Sequence, residues 1–328
     1  MKTRRIGHRE IPEIGLGCMN LSHAYGHPPS EQEAIALLHA AYDMGVRHFD
    51  TAALYGFGKN ESLVGKAFAG RWRDIHLASK CGIFQENGVR KIDGRPETLE
   101  KTLNDALQRL AVDHIDLYYL HRWDKSIPIE ESMGMLSRLV EQGKISQIGL
   151  SEVSAATLRK AHAVHPITAV QSEYSLWSRN PEIAILDACQ ELNITFVAFS
   201  PLARGYLTNG VKSRDELVET DIRLGMPRFT EQNLQANRPL VELINRLAAE
   251  LNVSPAQVCL AWALAQRENI IALPGTRSIE HLEDNLTASS LYLPDECLSR
   301  LNKTFSIENI HGDRYPPQTQ AEIDTEEF

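Results

Sequence analysis

The sequence lacks most features that would commit it to a specialised chemistry or compartment. Its five cysteines, Cys18, Cys81, Cys189, Cys259 and Cys297, are odd in number and far apart, with no C-x-x-C pair and no histidine nearby at zinc spacing. That excludes a disulfide framework and a structural zinc site, and the expectation is reduced thiols in a core. No run of about 18 apolar residues occurs, and Met1 to Glu10 is polar, without the apolar centre of a signal peptide. The expectation is a cytoplasmic protein with no membrane partner. Its 34 Lys and Arg residues are scattered under a formal net charge of -9, so there is no basic footprint for nucleic acid. Short nucleotide and hydrolase motifs are missing as well. Gly15 and Gly17 are followed by Asn20, and Gly56 and Gly58 by Glu61, so no G-x-G-x-x-G opens a dinucleotide-binding sheet. Walker A, H-E-x-x-H and G-x-S-x-G are also absent, which removes P-loop chemistry, this type of metal hydrolysis and serine hydrolysis from consideration.

What is present is material for a large core, 43% hydrophobic and 23% charged over 328 residues. Apolar, β-rich runs recur at 15–19, 48–52, 75–80, 115–121, 145–151, 169–174, 194–199 and 270–273. Between them lie segments of helical period such as 31–45 and 96–110, with Ser30, Asn60 and Ser154 placed as helix N-caps. Strands that are apolar along their length and alternate with helices predict a parallel sheet covered by helices. A closed (β/α)8 TIM barrel, an α/β fold, fits better than an open doubly wound sheet. Residues 2–12 alternate about Gly7-His8 and predict an N-terminal hairpin closing the bottom of the barrel. The stretch 203–237 lacks periodicity and predicts a long loop over the active face. From about residue 311 the chain predicts an irregular tail, so that 1–328 forms one barrel domain.

Barrel chemistry sits at the C-terminal ends of the strands, where Asp50, Tyr55, Lys80, His121, Ser151, Gln171, Tyr174 and Ser200 follow apolar runs. Each alone has a plainer reading. Lys80 would be a solvated cation, Asp50 a turn cap, His121 a structural histidine and Tyr55 a packed loop aromatic. Their coincidence at one barrel mouth changes the odds. A tyrosine hydroxyl ionises near pH 10, and Lys80 supplies a cation favouring the ionised form, while Asp50 offsets the loss of charge that burial would impose on Lys80. With His121 orienting a substrate oxygen, the group becomes a proton donor matched to an alkoxide forming as hydride reaches a carbonyl carbon. That chemistry calls for no metal.

Residues 45–68 (GVRHFDTAALYGFGKNESLVGKAF), 77–82 (LASKCG) and 115–124 (IDLYYLHRWD) resemble the segments that carry the catalytic Asp, Tyr, Lys and His of the aldo-keto reductase family. The resemblance continues through 149–154, 170–179, 200–210 and 274–288 and spans nearly the whole chain, with a likeness to the bacterial and channel β-subunit-like branches. It implies a (β/α)8 barrel binding NADPH without a Rossmann fold, with NADH left open as an alternative donor. It also implies Tyr55 as general acid, tuned by Lys80 and Asp50, and His121 orienting the carbonyl. Ser151 and Gln171 would hold the carboxamide and Tyr174 stack on the nicotinamide. Ser200, Leu202 and Gly205 would line the pyrophosphate path, and Gly275, Thr276, Arg277, His281, Asp284 and Asn285 would surround the adenosine 2′-phosphate and adenine.

Two departures stand out. Glu152 occupies a place where the best-known branch has Asn, and it is given no role. Gly275-Thr276-Arg277 with His281 replaces a Lys-Ser and Arg arrangement, although Arg277 can still pair with a phosphate. Tyr25, Leu54, Phe84, Trp123 and the tail are expected to shape a pocket for a small-molecule aldehyde or ketone. An NADPH-binding regulatory subunit with little turnover is the alternative within the family. A barrel aldolase or isomerase with a Schiff base on Lys80 is the alternative outside it. A homo-oligomer is left open.

Overall fold

The structure is a computed structural model describing residues 1–86 and 89–328. The chain opens with an antiparallel pair, β1 (Thr3–Ile6) and β2 (Arg9–Pro12), turning at Gly7-His8 with Gly7 at a φ of +57°. Eight parallel strands follow in one sheet: β3 (Leu16–Gly17), β4 (His48–Asp50), β5 (His76–Cys81), β8 (Ile115–Leu120), β9 (Ile145–Ser151), β10 (Ile167–Glu173), β11 (Thr195–Phe199) and β12 (Ile270–Leu273). The sheet closes on itself. Ile14 bridges Ala272 in parallel, and the amides of Gly15 and Gly17 donate to the carbonyls of Ala272 and Pro274, each at 3.0 Å. All eight strands fall on the apolar runs picked out in the sequence, and the fold is a (β/α)8 barrel.

Helices α1 (Glu31–Asp43), α2 (Lys59–Ala67), α3 (Pro96–Leu110), α4 (Ile129–Glu141), α5 (Ala155–Val164) and α6 (Ile185–Glu191) cover successive strands. α7 (Glu231–Ala236), α8 (Arg238–Leu251), α9 (Pro255–Ala265), α10 (Ile279–Thr287) and α11 (Asp295–Thr304) complete the outer layer. Ser30 and Ser154 cap α1 and α5 as expected, and Ser30 forms a full capping box with Glu33. Asn60 does not cap. It lies inside α2, where its buried amide accepts from Thr51 Oγ1 at 2.7 Å and donates to the Cys18 carbonyl at 2.8 Å, tying the helix to two strand ends. Gly58, with a φ of +90°, occupies the cap position instead. No helix among the described residues is long and apolar enough to cross a membrane.

Strand alternation divides the core into two layers. Phe49, Leu77, Tyr118, Leu120, Ile148, Leu150, Val170 and Phe196 point outward against the helices. Ala78, Leu117, Tyr119, Ala169, Val197 and Ile271 fill the barrel interior, and Ile6 and Ile11 of the hairpin join them from below. The hairpin is thus a plug. Gly149 makes room in this layer, because a Cβ there would overlap the inward Tyr119 ring. A second antiparallel pair, β6 (Ile83–Glu86) with β7 (Val89–Ile92), follows β5 and was not foreseen.

His48 and His76 face each other in the core, Nδ1 to Nδ1 at 2.9 Å. Desolvation lowers both below the ordinary histidine range, and the charge of its partner lowers His76 further. The unfolded chain takes up protons near pH 6.5 where the folded chain does not, so this stability is present above pH 6.5 and is lost as pH falls. Each such histidine contributes a slope of about 1.4 kcal/mol per pH unit below that point. Urea midpoints from pH 7.5 to pH 5 are expected to fall for the wild type and to fall less steeply for His76→Gln.

Candidate active site

The next inward positions above the apolar barrel layer are polar. They are Asp50 on β4, Lys80 on β5, His121 just past β8, Ser151 on β9 and Gln171 on β10, with the ring of Phe199 on β11. Each lies two residues beyond an interior residue or continues that face, so the alternation that packs the barrel also builds the site. A cavity of about 880 Å³ opens above them.

Lys80 is fully buried, and its ammonium donates to Asp50 Oδ1, to the Thr51 carbonyl at 2.9 Å and to the Tyr55 hydroxyl oxygen at 3.3 Å. Gln171 donates from Nε2 to the other Asp50 oxygen at 2.8 Å. Desolvation pulls the Lys80 pKa down, but Asp50 and Tyr55 outweigh it and the net direction is up. The amine therefore stays protonated and is a poor Schiff-base nucleophile. Tyr55 follows β4 on a tight turn and meets His121 edge to face, ring centroids 5.9 Å apart. Burial raises its pKa, Lys80 opposes the rise, and the balance remains upward. The expected cation-driven ionisation is thus outweighed by desolvation, and the phenol is neutral. Desolvation first, then the charges of Arg122 and Lys80, hold His121 well below the usual range, so its imidazole is neutral too.

Asp50, Tyr55, His121, Ser151 and Gln171 all line the cavity, and Lys80 supports them from beneath. Ser200, Leu202, Gly205, Gly275, Thr276, Arg277, His281, Asp284 and Asn285 extend it sideways, and Tyr25 and Leu54 flank the Tyr55 end. Asp284 also accepts from Ser254 at 2.6 Å and from Gln257 at 2.8 Å, which joins α10 to the start of α9. Three expectations fail. Tyr174 cannot stack in the cavity, because it points outward into the helix layer against Phe196 and Trp262, and its hydroxyl donates to Glu182 at 2.8 Å. Phe199, two residues past the interior Val197, carries the ring on the cavity side. Phe84 lies in a separate shallow pocket with Asp93 and Asp124, and Trp123 packs on the outer core while its Nε1 donates to the Ile127 carbonyl at 2.8 Å.

Sequence reading also passed over Arg122, Arg204 and Arg223 on the cavity wall. Glu152, left without a role, has a φ of +58° that turns it away from the cavity. It accepts from Arg314 at 2.6 Å and from the Glu173 amide at 2.8 Å. Glu173 in turn pairs with Arg204 at 2.5 Å. Burial raises the Glu173 pKa, but Arg204, Arg314 and Arg228 outweigh it and bring the carboxyl down to about 2. Arg314 belongs to the tail. That tail, which includes the short helix α12 (Pro317–Gln320), is packed on the barrel, and its Tyr315, Thr319 and Glu322 reach the cavity. Asp324 and Glu326 accept from the first amides of the Ser154 cap and α5, a favourable place for carboxylates.

The Aldo/keto reductase family model matches residues 13–305. This chain belongs to the aldo/keto reductase family. The aldo-keto reductase yakc of Schizosaccharomyces pombe, whose name carries NADP(+), is 43% identical over 98% of this chain and 96% of its own length. A probable aldo-keto reductase of Glycine max is 44% identical over 93% of this chain and 89% of its own. Among solved structures, a glycerol dehydrogenase from Gluconobacter oxydans superposes with a TM-score of 0.84 at 28% identity, covering 92% of this chain and 94% of that one. An aldo/keto reductase from Klebsiella pneumoniae, solved in complex with NADP and acetate, gives 0.73 at 26% identity, covering 96% and 99%.

In this family member the tail is held by buried charge, so Arg314→Met leaves Glu152 short of its cation. The expected cost is about 3–5 kcal/mol, as for breaking other buried ion pairs. Denaturant unfolding measures the loss, and limited proteolysis is expected to cut first within residues 311–328.

Proposed function

We propose that this chain reduces aldehydes or ketones to alcohols with NADPH. In the balance, the carbonyl compound takes up one hydride from NADPH and one proton, and the products are the alcohol and NADP⁺. The observation that carries the reading is the Tyr55 hydroxyl, neutral and in contact with the Lys80 ammonium, lying beside a neutral His121 at the floor of a long cavity. When bound, the dinucleotide supplies hydride to the carbonyl carbon.

The residues present fit such a group. Ser200, Ala203 and Arg204 all have positive φ, and Gly205 follows at +88°, so the loop after β11 bends its backbone around the cavity rim. Gly275 sits where a Cβ would lie 3.1 Å from both Asn20 Oδ1 and the Gly17 carbonyl, leaving a narrow passage lined by polar atoms. Beyond it Thr276, Arg277 and Ser278 lead into the N-terminus of α10, a favourable end for a phosphate. In this reading Ser151 and the free oxygen of Gln171 hold the carboxamide, and Phe199 offers its ring to the nicotinamide. Asn285, Asp284 and His281 surround the adenine. Arg277 favours NADPH over NADH through its charge.

The proton path follows from the hydrogen bonds. Lys80 donates to the Tyr55 oxygen, which leaves the phenol hydrogen free for an acceptor above it. Asp50 keeps Lys80 charged, and Lys80 stabilises the phenolate left after the proton reaches the carbonyl oxygen. His121, neutral and close to Tyr55, donates a hydrogen bond that orients that oxygen.

Tyr55→Phe removes the transferable proton and little else. Its kcat with 4-nitrobenzaldehyde, followed by loss of NADPH absorbance, is expected to fall by about 10²-fold or more, within the range usual for a general acid. NADPH binding by fluorescence titration is expected to survive. Full turnover in this variant would overturn the assignment, and tight NADPH binding with no turnover of any carbonyl by the wild type would overturn the reductase reading.

A further inference from the structure

Five arginines line the cavity, and their charges are not equally spent. Arg90 pairs with Glu322 at 2.7 Å, Arg204 with Glu173 at 2.5 Å and Arg223 with Asp221 at 2.7 Å. Arg277 lies at the far end, where it donates to the His27 carbonyl at 2.6 Å. Arg122 stands at the reactive end, immediately after His121, and no carboxylate among the described residues pairs with it. Its Nη1 donates to the His121 carbonyl at 2.6 Å and approaches Ser151 Oγ at 3.4 Å. Its Nε is buried and has no acceptor among the described residues. A buried donor on a charged group without an acceptor costs about 1–3 kcal/mol or more, and the rest of the half-buried guanidinium lines the cavity with its charge unpaired.

The neighbouring charges sharpen the point. Lys80 is neutralised by Asp50, while Tyr55 and His121 are both uncharged. Arg122 is therefore the uncompensated positive charge beside the reacting groups. Guanidinium is matched in shape and charge to a carboxylate, and its interaction strengthens where water is partly excluded. Glu322 and the tail stand across the cavity mouth, but Arg90 already holds that carboxylate.

We propose that Arg122 is a specificity-determining residue that binds a carboxylate carried close to the reacting carbonyl, so that the preferred substrates are small oxo acids and aldehyde acids rather than neutral carbonyl compounds. The proposal rests on the reductase reading and narrows its substrate class. Arg122 touches the substrate's acid group and takes no part in hydride or proton transfer.

The test compares matched pairs, glyoxylate against acetaldehyde and 2-carboxybenzaldehyde against benzaldehyde, in wild type, Arg122→Met and Arg122→Lys. The wild type is expected to prefer the acid of each pair by tenfold or more in kcat/KM. Arg122→Met is expected to lower kcat/KM at least tenfold further for the acid than for its neutral partner, mainly through KM, and Arg122→Lys to restore part of the difference. A wild type that reduces both members of each pair equally overturns this proposal and leaves the reductase reading standing. So does a loss in Arg122→Met that is equal for both members with a raised KM for NADPH, which would assign the guanidinium to the cofactor. Absence of turnover on all four aldehydes overturns this proposal, and with 4-nitrobenzaldehyde and every other carbonyl also refused it overturns the reductase reading too. Because the preference is read first in the wild type, it does not depend on either variant folding.

Discussion

The site depends on keeping a lysine charged where there is no water. Lys80 is enclosed by the barrel, and an ammonium there would give up its proton unless a countercharge held it. Asp50, on the adjacent strand, supplies that countercharge and is itself held by Gln171. In the strand order β4 and β10 stand four places apart in a ring of eight, so the Gln171–Asp50 bond spans the mouth of the barrel. One buried carboxylate thus fixes the charge of Lys80 and ties opposite walls together. The ammonium it holds also donates to the oxygen of Tyr55. Breaking a buried pair of this kind costs more than the pair contributes, because the surviving charge is stranded, and the tetrad is therefore a structural unit as well as a chemical one.

A second set of buried charges lies just outside the first and does a different job. At the end of β9 the chain places Ser151 inward, and Glu152, in the left-handed region, turns away from the cavity. That carboxylate and Glu173 collect Arg314 from the tail and Arg204 from the loop after β11. Arg204 also reaches the hydroxyls of Tyr25 and Tyr315, at 3.1 Å and 3.0 Å. Three segments far apart in sequence are thereby assembled around one cavity wall. The positive φ values at Ser200, Ala203 and Arg204 are strained positions of the kind that persist when surrounding contacts over-determine them, and this network provides such contacts.

The barrel was legible because its signal is local and repeated. Eight apolar runs separated by helical periods admit few other arrangements, and a polar residue at the C-terminal end of such a run marks the barrel mouth. Asp50, Lys80, His121, Ser151 and Gln171 are all found by that rule. It failed at Tyr174, because position at a strand end says nothing of which face a side chain takes, and alternation counted from the inward Gln171 sends Tyr174 outward into the helix layer. Phe199, at the end of β11, lines the cavity, and as an apolar residue it gave no signal in a search for polar strand ends. Asn60 looked like a cap because Asn is a good one, but its amide is consumed by two strand-end groups that only the tertiary fold brings near. The tail and Glu152 were opaque for the same reason, since their partners lie up to 232 residues away in sequence.

Hydride transfer makes an oxygen negative, and the cavity floor meets that change with very little free charge. Tyr55 and His121 are neutral and Lys80 is paired with Asp50, so under the proposed mechanism the oxygen is stabilised by directed hydrogen bonds rather than by a bare cation. Burial keeps the Tyr55 phenol neutral, the form able to give a proton, and under the proposed mechanism the ammonium beneath it stabilises the anion only once the proton has gone. Arg122 is the exception, a full charge on the cavity wall that the proposal above sets outside the proton path. A cation so placed favours negative charge in the ground state as much as in the transition state, and uniform binding of that kind acts on substrate choice rather than on the rate of the chemical step.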